Sequence, residues 1–384
     1  MKQLLEIFTD SLEDNIYASM AFSPLKVTFL VDHDDDLIQK AKYTAVFLEN
    51  KCQGMNVEIV EIDFSSIFVI DEKLHQIIKD VDCIDITGGE DRIKVPLLKY
   101  AIEHQIQCSY LDIENENIIL LNNDNQNTYW TISFDKLDIE QILYLAGATS
   151  FVGNQDFHKI INNSFIDQVV VLALKDANRW KRFSRYISYI NAKYSNYYGD
   201  IDAPRSIKLD GRKIKADISM FNTLAKIGAL INLEIYDDRI CFNYYDETIE
   251  NLINQQGSFL EVYTYLQLYN SKQFDEIKIN TIIDWDKDDE NKIINEVDVI
   301  ARIGRKLYFI SCKTSELKTE YLNEIYVITK RFGLKESFPV IVTTTDIDER
   351  TSLIYERARK LDCIIIDKDD IKKGNLVSKL LSVY

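Results

Sequence analysis

IINEVDVIARIGRKLYFISCKT, residues Ile293–Thr314, reads as two strands folded back on each other about Gly304-Arg305. Side chains alternate across a strand, so Glu296 and Asp298 present their carboxylates on one face. Ser311 and Lys313 share a face of the second arm by the same rule, and the turn lays the arms side by side. Upstream, Ser258–Tyr269 has helical periodicity with Glu261 in its first turn, and Glu276–Ile283 reads as a strand. Downstream come a helix at Tyr321–Phe332, a strand at Val340–Thr344, a helix at Arg350–Lys360 and a strand at Cys363–Asp367. This order predicts a C-terminal α/β domain built around the hairpin.

The acids and the lysine suit one chemistry. Phosphodiester hydrolysis needs oxygen ligands for a hard divalent cation, and it gains from a lysine beside the charged phosphorane. Glu261, Asp298 and Lys313 supply that set, and Lys313 ends a mostly apolar run (LYFISC) where a charge needs a partner. The order helix-Glu, strand-Asp, adjacent strand-xK resembles the PD-(D/E)xK nuclease superfamily. From about Gly257 to Thr345, with Asn295–Val299 and Tyr308–Thr314 as its motifs, the chain resembles the nuclease half of the CRISPR-associated CARF nucleases. The resemblance implies Asp298, Lys313, Glu261 and Glu296 as catalytic residues, with Mn2+ or Mg2+ held by Asp298, Glu261 and Glu296. One departure stands out: Ser311 occupies the position two before the lysine, where the superfamily usually carries an acid.

The first 150 residues alternate strand and helix signals: strands at Leu25–Val31, Val57–Phe64, Cys83–Ile86 and Cys108–Ile113, with helices at Asp36–Asn50, Glu72–Val81 and up to His104 between them. That alternation predicts a parallel sheet of Rossmann type. Asn117–Asn122 and Thr128–Ser133, about the Asn/Asp-rich turn Asn122–Asn127, add an antiparallel hairpin. Thr87-Gly88-Gly89 follows a strand and precedes a helix, where glycine lets backbone N–H groups approach a phosphate. The end of what reads as the first strand, Val31-Asp32-His33, adds to the same edge. With the nuclease half, this strand-Thr-Gly-Gly-helix pattern resembles a CARF domain. The resemblance implies a cyclic oligoadenylate ligand, most plausibly cyclic tetra-adenylate, bound across the two-fold axis of a homodimer by Thr87, Gly88, Gly89, Asp32, His33, Arg92 and Lys94. Family members often carry Thr-Lys directly after the glycines; here Glu90-Asp91 follow.

Between these ends, Ile139 to about Tyr194 is helical in pattern, Ala203-Pro204 breaks it, and Ala216–Leu230 is a small helical unit. Leu233–Tyr236 and Ile240–Tyr244 form a hairpin after it, an order also found in winged helices. Two basic stretches suit single-stranded nucleic acid: Arg179–Tyr186, which interleaves cations with aromatics, and the group Arg205, Lys208, Arg212, Lys213 and Lys215.

Bulk composition constrains these readings. A formal charge of −17 excludes a protein that coats nucleic acid through its overall field, so phosphate contacts must come from local patches. The six cysteines are scattered without a CxxC pair and read as reduced residues of a cytoplasmic protein; no apolar run is long enough to span a membrane.

The sequence therefore predicts an α/β chain in three parts: residues 1–150 a Rossmann-like CARF sensor, 151–250 a helical, winged-helix-like connector, and 251–384 a restriction-endonuclease-like domain. The resemblance implies a cyclic-oligoadenylate-activated, metal-dependent nuclease of CRISPR type III antiviral defence, with single-stranded DNA, plasmid DNA or RNA as substrate. The alternatives are a ligand-responsive DNA-binding regulator, which has no use for Glu261, Asp298 and Lys313, and a catalytically dead effector, which Ser311 leaves open.

Overall fold

The computed structural model describes residues 1–382 except 66–69, 71–72, 77, 79, 114, 122–127, 132–136, 153–159, 161–162, 197–198, 286–292 and 348–352. The Asn122–Asn127 turn and residues 72, 77 and 79 of the expected Glu72–Val81 helix fall outside the described residues, and residues 73–76 of that stretch are helical. The chain divides into two compact units, the first comprising Met1–Ser150, Asp284–Ile294 and Arg331–Glu336, the second comprising the rest.

The first unit is built on a seven-stranded sheet: β1 (Gln3–Ile7), β2 (Lys26–Val31), β3 (Asn56–Glu61), β4 (Cys83–Asp85), β5 (Gln107–Asp112), β6 (Asn117–Leu121) and β7 (Thr128–Thr131), in the order β3-β2-β1-β4-β5-β6-β7. The first five strands are parallel, as the alternation predicts, and β6 and β7 extend the sheet as antiparallel strands. Val27 and Phe29–Val31 on β2 are fully buried, because a central parallel strand is covered on both faces.

One correction concerns the first strand. The sheet starts at β1, so Leu25–Val31 is second in the chain, and β1 lies at the centre, between β2 and β4. Gln3–Ile7 gives a weak signal because it is five residues long and includes the charged Glu6. In the fold Glu6 is buried all the same.

The second unit opens after a short strand β8 (Thr149–Val152), which the helical reading of Ile139–Tyr194 passes over. Helices Ile166–Lys175 and Ala177–Tyr194 follow, then β9 (Ile201–Pro204), a tight hairpin of β10 (Ser206–Leu209) and β11 (Arg212–Lys215), and a helix at Ile218–Ile227. Next come the hairpin β12 (Leu230–Ile235) and β13 (Arg239–Tyr244), joined by β9 into a three-stranded antiparallel sheet, and a helix at Glu247–Asn254. The C-terminal part carries β14 (Glu276–Asp284), β15 (Ile294–Ile303), β16 (Lys306–Lys313), β17 (Ser337–Thr343) and β18 (Ile364–Ile366), ordered β18-β17-β16-β15-β14.

β15 and β16 are antiparallel from Val299↔Ile310 to Ile303↔Lys306, with Gly304 at the turn at φ 57°. β16, β17 and β18 run parallel. The helix Ser258–Ser271 lies against β16 and β17. One apolar core runs from Trp180 and Phe221 through Phe259 and Leu260 to Val299, Tyr308 and Ile310, so the helical part and the C-terminal sheet share a single interior. Among the described residues no helix is long and apolar enough to cross a membrane, and all six cysteines are free thiols.

Candidate functional site

The acid-and-lysine set meets where β15 and β16 part. The ladder ends at Val299↔Ile310, so Asp298 and Ser311 are the next pair along. Here the Asp298 carboxylate replaces the ladder: its Oδ2 accepts a hydrogen bond from the backbone N–H of Cys312 at 2.5 Å and another from the Ser311 hydroxyl at 3.3 Å. A bond to backbone at one oxygen holds the side chain in place and leaves the second oxygen for a ligand.

Glu261 reaches the same spot from the first turn of the helix Ser258–Ser271. This helix starts at Gly257, where a side chain would come within 3.5 Å of the Glu261 Oε1 atom. Burial, then the neighbouring charges of Asp298 and Glu296, push the Glu261 carboxyl up to about 8, while Lys313 pulls the other way. Asp298 is also raised, mainly by burial; Lys313 and the Cys312 N–H oppose that shift. Glu296 sits on the exposed end of β15. Lys313 is half-buried, its ammonium 5.2 Å from the centre of the Tyr321 ring. Tyr321, in the helix Thr319–Phe332, is a site residue that the sequence pattern does not reveal; its approach to Lys313 is purely tertiary.

The structure thus brings Glu261, Asp298, Glu296 and Lys313 within electrostatic reach of one another. Among the described residues no group of three or more His, Cys, Asp and Glu side chains is gathered closely enough to hold a metal ion. Carboxylate oxygens are the donor type that a hard divalent cation takes. Burial and mutual repulsion raise the Glu261 and Asp298 carboxyls, and a positive charge nearby would oppose that shift.

In the first unit, β1 and β4 are neighbours whose connections leave toward opposite sides, and ligands of such sheets bind at that crevice. Thr87-Gly88-Gly89 lies at the end of β4, and beside it is the loop Thr9-Asp10-Ser11 at the end of β1. A Cβ on Gly88 would stand 2.9 Å from the Ile7 carbonyl and 3.0 Å from the Thr9 methyl; one on Gly89, at φ 87°, would stand 2.7 Å from Ile7 Cγ2. The glycines are therefore required for the turn to seat against β1. Asn15 clamps the Thr9 loop, accepting from the Thr9 N–H at 2.9 Å and donating to its carbonyl at 2.7 Å.

Thr9 and Ser11 escape the sequence pattern along with β1. The cue was Ser11 ahead of an acid, Asp14, three residues on, a helix-start pattern at the helix Leu12–Phe22.

The other expected ligand residues divide by role. Lys94 donates to the Thr87 carbonyl at 3.2 Å, placing its ammonium at the turn. The Thr87 hydroxyl accepts from the Leu111 N–H at 2.8 Å, tying the turn to β5. Asp32 accepts from the His33 and Phe64 N–H groups at 2.9 and 3.0 Å, closing the end of β2 onto the loop after β3. His33 is exposed, and Arg92 is exposed and paired with Glu90 at 2.8 Å.

Beneath the turn lie two buried acids in register on adjacent strands, Glu6 and Asp85. Asp85 accepts from the Thr87 N–H at 3.0 Å and the Ser109 hydroxyl at 2.7 Å, and burial raises its carboxyl to about 6. Glu6 accepts from Ser19 at 2.6 Å and is raised further, by burial and then by Asp85.

A Rossmann-like unit joined to an α/β unit with a Glu–Asp–Lys constellation at a strand hairpin defines a nuclease-type architecture. Residues 246–382 match the family model described as "Card1-like, endonuclease domain". The fold of the whole chain is similar to that of protein VC1899 from Vibrio cholerae, with TM-score 0.73, 14% identity and coverage of 99% of this chain and 97% of that one. It is also similar to Can2 from Sulfobacillus thermosulfidooxidans, solved in complex with cyclic tetra-adenylate, with TM-score 0.70, 14% identity and full coverage of both chains. No curated protein matches the chain.

Proposed function

We propose that this chain is an endonuclease that hydrolyses phosphodiester bonds of DNA or RNA with Mn2+ or Mg2+, and that a cyclic oligoadenylate bound by its first unit switches it on. The observation that carries this reading is the convergence of Glu261, Asp298 and Lys313, from one helix and two strands, within the residues that match the Card1-like endonuclease family model. A bound divalent cation would polarise the scissile phosphate and lower the pKa of the attacking water. Asp298 and Glu261 are the residues to hold it, with Glu296 as a third carboxylate. Lys313 is the one cation of this set and would stabilise the negative charge that builds on the phosphorane. The Tyr321 ring beside it narrows the positions its flexible stem can take.

The activator reading rests on the crevice between β1 and β4. The Gly88-Gly89 backbone, the start of the helix Asp91–Glu103 and the Lys94 ammonium all favour an anion. Cyclic tetra-adenylate, the ligand in the Can2 structure, has the phosphates and the symmetry to lie across two copies of the chain. The whole would act as a homodimer in CRISPR type III antiviral defence.

The test is cleavage of single-stranded DNA, supercoiled plasmid and RNA, with and without Mn2+ or Mg2+, and with and without cyclic tetra-adenylate. Cleavage is expected only where metal and ligand are both present, and is lost in Asp298→Asn and Lys313→Ala while ligand binding persists. Retained cleavage in both variants overturns the site; cleavage indifferent to the ligand overturns the switch.

A further inference from the structure

The two basic stretches of the second unit have different fates in the fold. In the first, Arg179 forms a bidentate pair with Asp217 at 2.6 and 2.7 Å, Arg185 pairs with Asp210, and Trp180, Phe183 and Tyr186 are buried in the core. Its aromatics are therefore packing residues and two of its cations are neutralised. In the second, Arg205 is turned to the carbonyls of Tyr236 and Asp237.

The remaining lysines lie on the β10–β11 hairpin. Its turn is Asp210-Gly211, both at positive φ (49° and 76°), a two-residue connection that fixes the register Leu209↔Arg212, Lys208↔Lys213, Ile207↔Ile214 and Ser206↔Lys215. Directly opposed residues share a face, so Ile207 and Ile214 lie on one side, packed against the core. Lys208, Lys213 and Lys215 lie with Ser206 on the hairpin's opposite face, and all three lysines are exposed.

Two features make this face more than solvated surface. Lys208 and Lys213 are directly opposed like charges, an arrangement that weakens a hairpin. And although acids outnumber bases by 62 to 45 in the chain, none of the three lysines forms an ion pair among the described residues, while Asp210 at the hairpin's own turn is engaged by Arg185. The Cβ atoms of this opposed pair stand about 4.5–5.5 Å apart by strand geometry, so two positive charges are presented side by side to a polyanion.

We infer that the lysine-bearing β10–β11 hairpin is a docking surface for the sugar-phosphate backbone of the nucleic-acid substrate, which it binds without reading base sequence. This rests on the endonuclease reading and names the surface by which a strongly acidic protein holds a polyanion. The hairpin is seated on the same apolar core as β15 and β16.

The test compares the full-length protein with Lys208→Ala/Lys213→Ala/Lys215→Ala, and with Lys226→Ala/Lys360→Ala/Lys372→Ala, which removes the same charge at other exposed positions. All arms contain cyclic tetra-adenylate. Binding of a labelled single-stranded oligonucleotide is followed in EDTA against salt concentration, and cleavage kinetics are measured with Mn2+. The hairpin variant should lose about 10-fold or more in affinity at low salt, and its log K–log salt slope should shrink by about 2, since each neutralised phosphate of a single strand contributes about 0.7. KM should rise with kcat retained, and the control variant should change neither slope nor KM. An unchanged slope in the hairpin variant, or an equal loss in the control, overturns the inference; with wild-type binding and cleavage intact, the endonuclease reading stands. A wild-type protein that neither binds nor cuts nucleic acid in any arm removes both.

Discussion

The Asp298 carboxylate accepts the Cys312 backbone N–H at 2.5 Å, so a side chain of one strand occupies the place of a ladder bond to the next. The hairpin is thereby closed by a residue that carries charge, and the backbone of β16 fixes where that charge points. Structure and chemistry at this position are one arrangement, and a single substitution can separate them.

Asp298→Asn keeps an oxygen that can accept the Cys312 N–H but removes the negative charge. Thermal unfolding should move by no more than the equivalent of about 1 kcal/mol. Cleavage should fall at least 100-fold, about the scale seen when one charge-stabilising group is lost from a site. A large loss of stability together with activity would mean that Asp298 serves the hairpin alone.

Ser311 donates to Asp298 where the superfamily pattern has an acid. Ser311→Asp replaces that bond with a second carboxylate facing the first. The variant should melt several degrees below wild type in EDTA, and Mn2+ should recover more of its melting temperature than it adds to wild type. A melting temperature indifferent to both the substitution and the metal would speak against a cation between these strands.

Gly89 is at φ 87° with Ile7 Cγ2 2.7 Å from where a Cβ would be, whereas Gly54, at φ 86°, has nothing within 4 Å. Both alanine variants carry the same backbone strain, and only Gly89→Ala adds a clash. Gly89→Ala should therefore cost about 1–3 kcal/mol more than Gly54→Ala and weaken cyclic tetra-adenylate binding. Equal effects of the two on stability and ligand affinity would remove the close approach of the turn to β1 from the account.

Asp85 titrates at about 6 in the fold, against 3.8 for an ordinary aspartate, because burial disfavours its charged form. A raised acid leaves stability intact while both folded and unfolded chains hold the proton, and stability falls as pH rises from about 4 through 6; Glu6 acts in the same direction. A displacement of that size corresponds to about 3 kcal/mol at most. Asp85→Asn can keep the bonds to the Thr87 N–H and Ser109 without that ionisation. Its gain in melting temperature over wild type should grow from about pH 4 to about pH 6 and level off above the folded-state titration. A gap that does not change with pH would show that Asp85 is not the group concerned.

Much of this could be read in advance, for an identifiable reason. Period-2 and period-3.6 patterns are local, so the β15–β16 hairpin, the parallel strands β2–β5 and the facing acids Glu296 and Asp298 are written in consecutive residues. That Glu261, Asp298 and Lys313 come within electrostatic reach of one another was likewise legible from their positions on one helix and two strands.

What failed to show was whatever depends on neighbours distant in sequence. β1 was hidden because Glu6, a charged residue in five, is acceptable there only when Ser19 bonds to it. The Thr9 loop, Tyr321 over Lys313 and the clash that reserves position 89 for glycine exist only once strands are placed side by side. The basic stretches make the same point. In sequence Arg185 and Lys208 are equivalent cations; only the tertiary structure gives Asp210 to one and, among the described residues, no ion-pair partner to the other. Composition sets how much charge a chain carries, but the fold, by deciding which charges meet, determines which are left for a ligand.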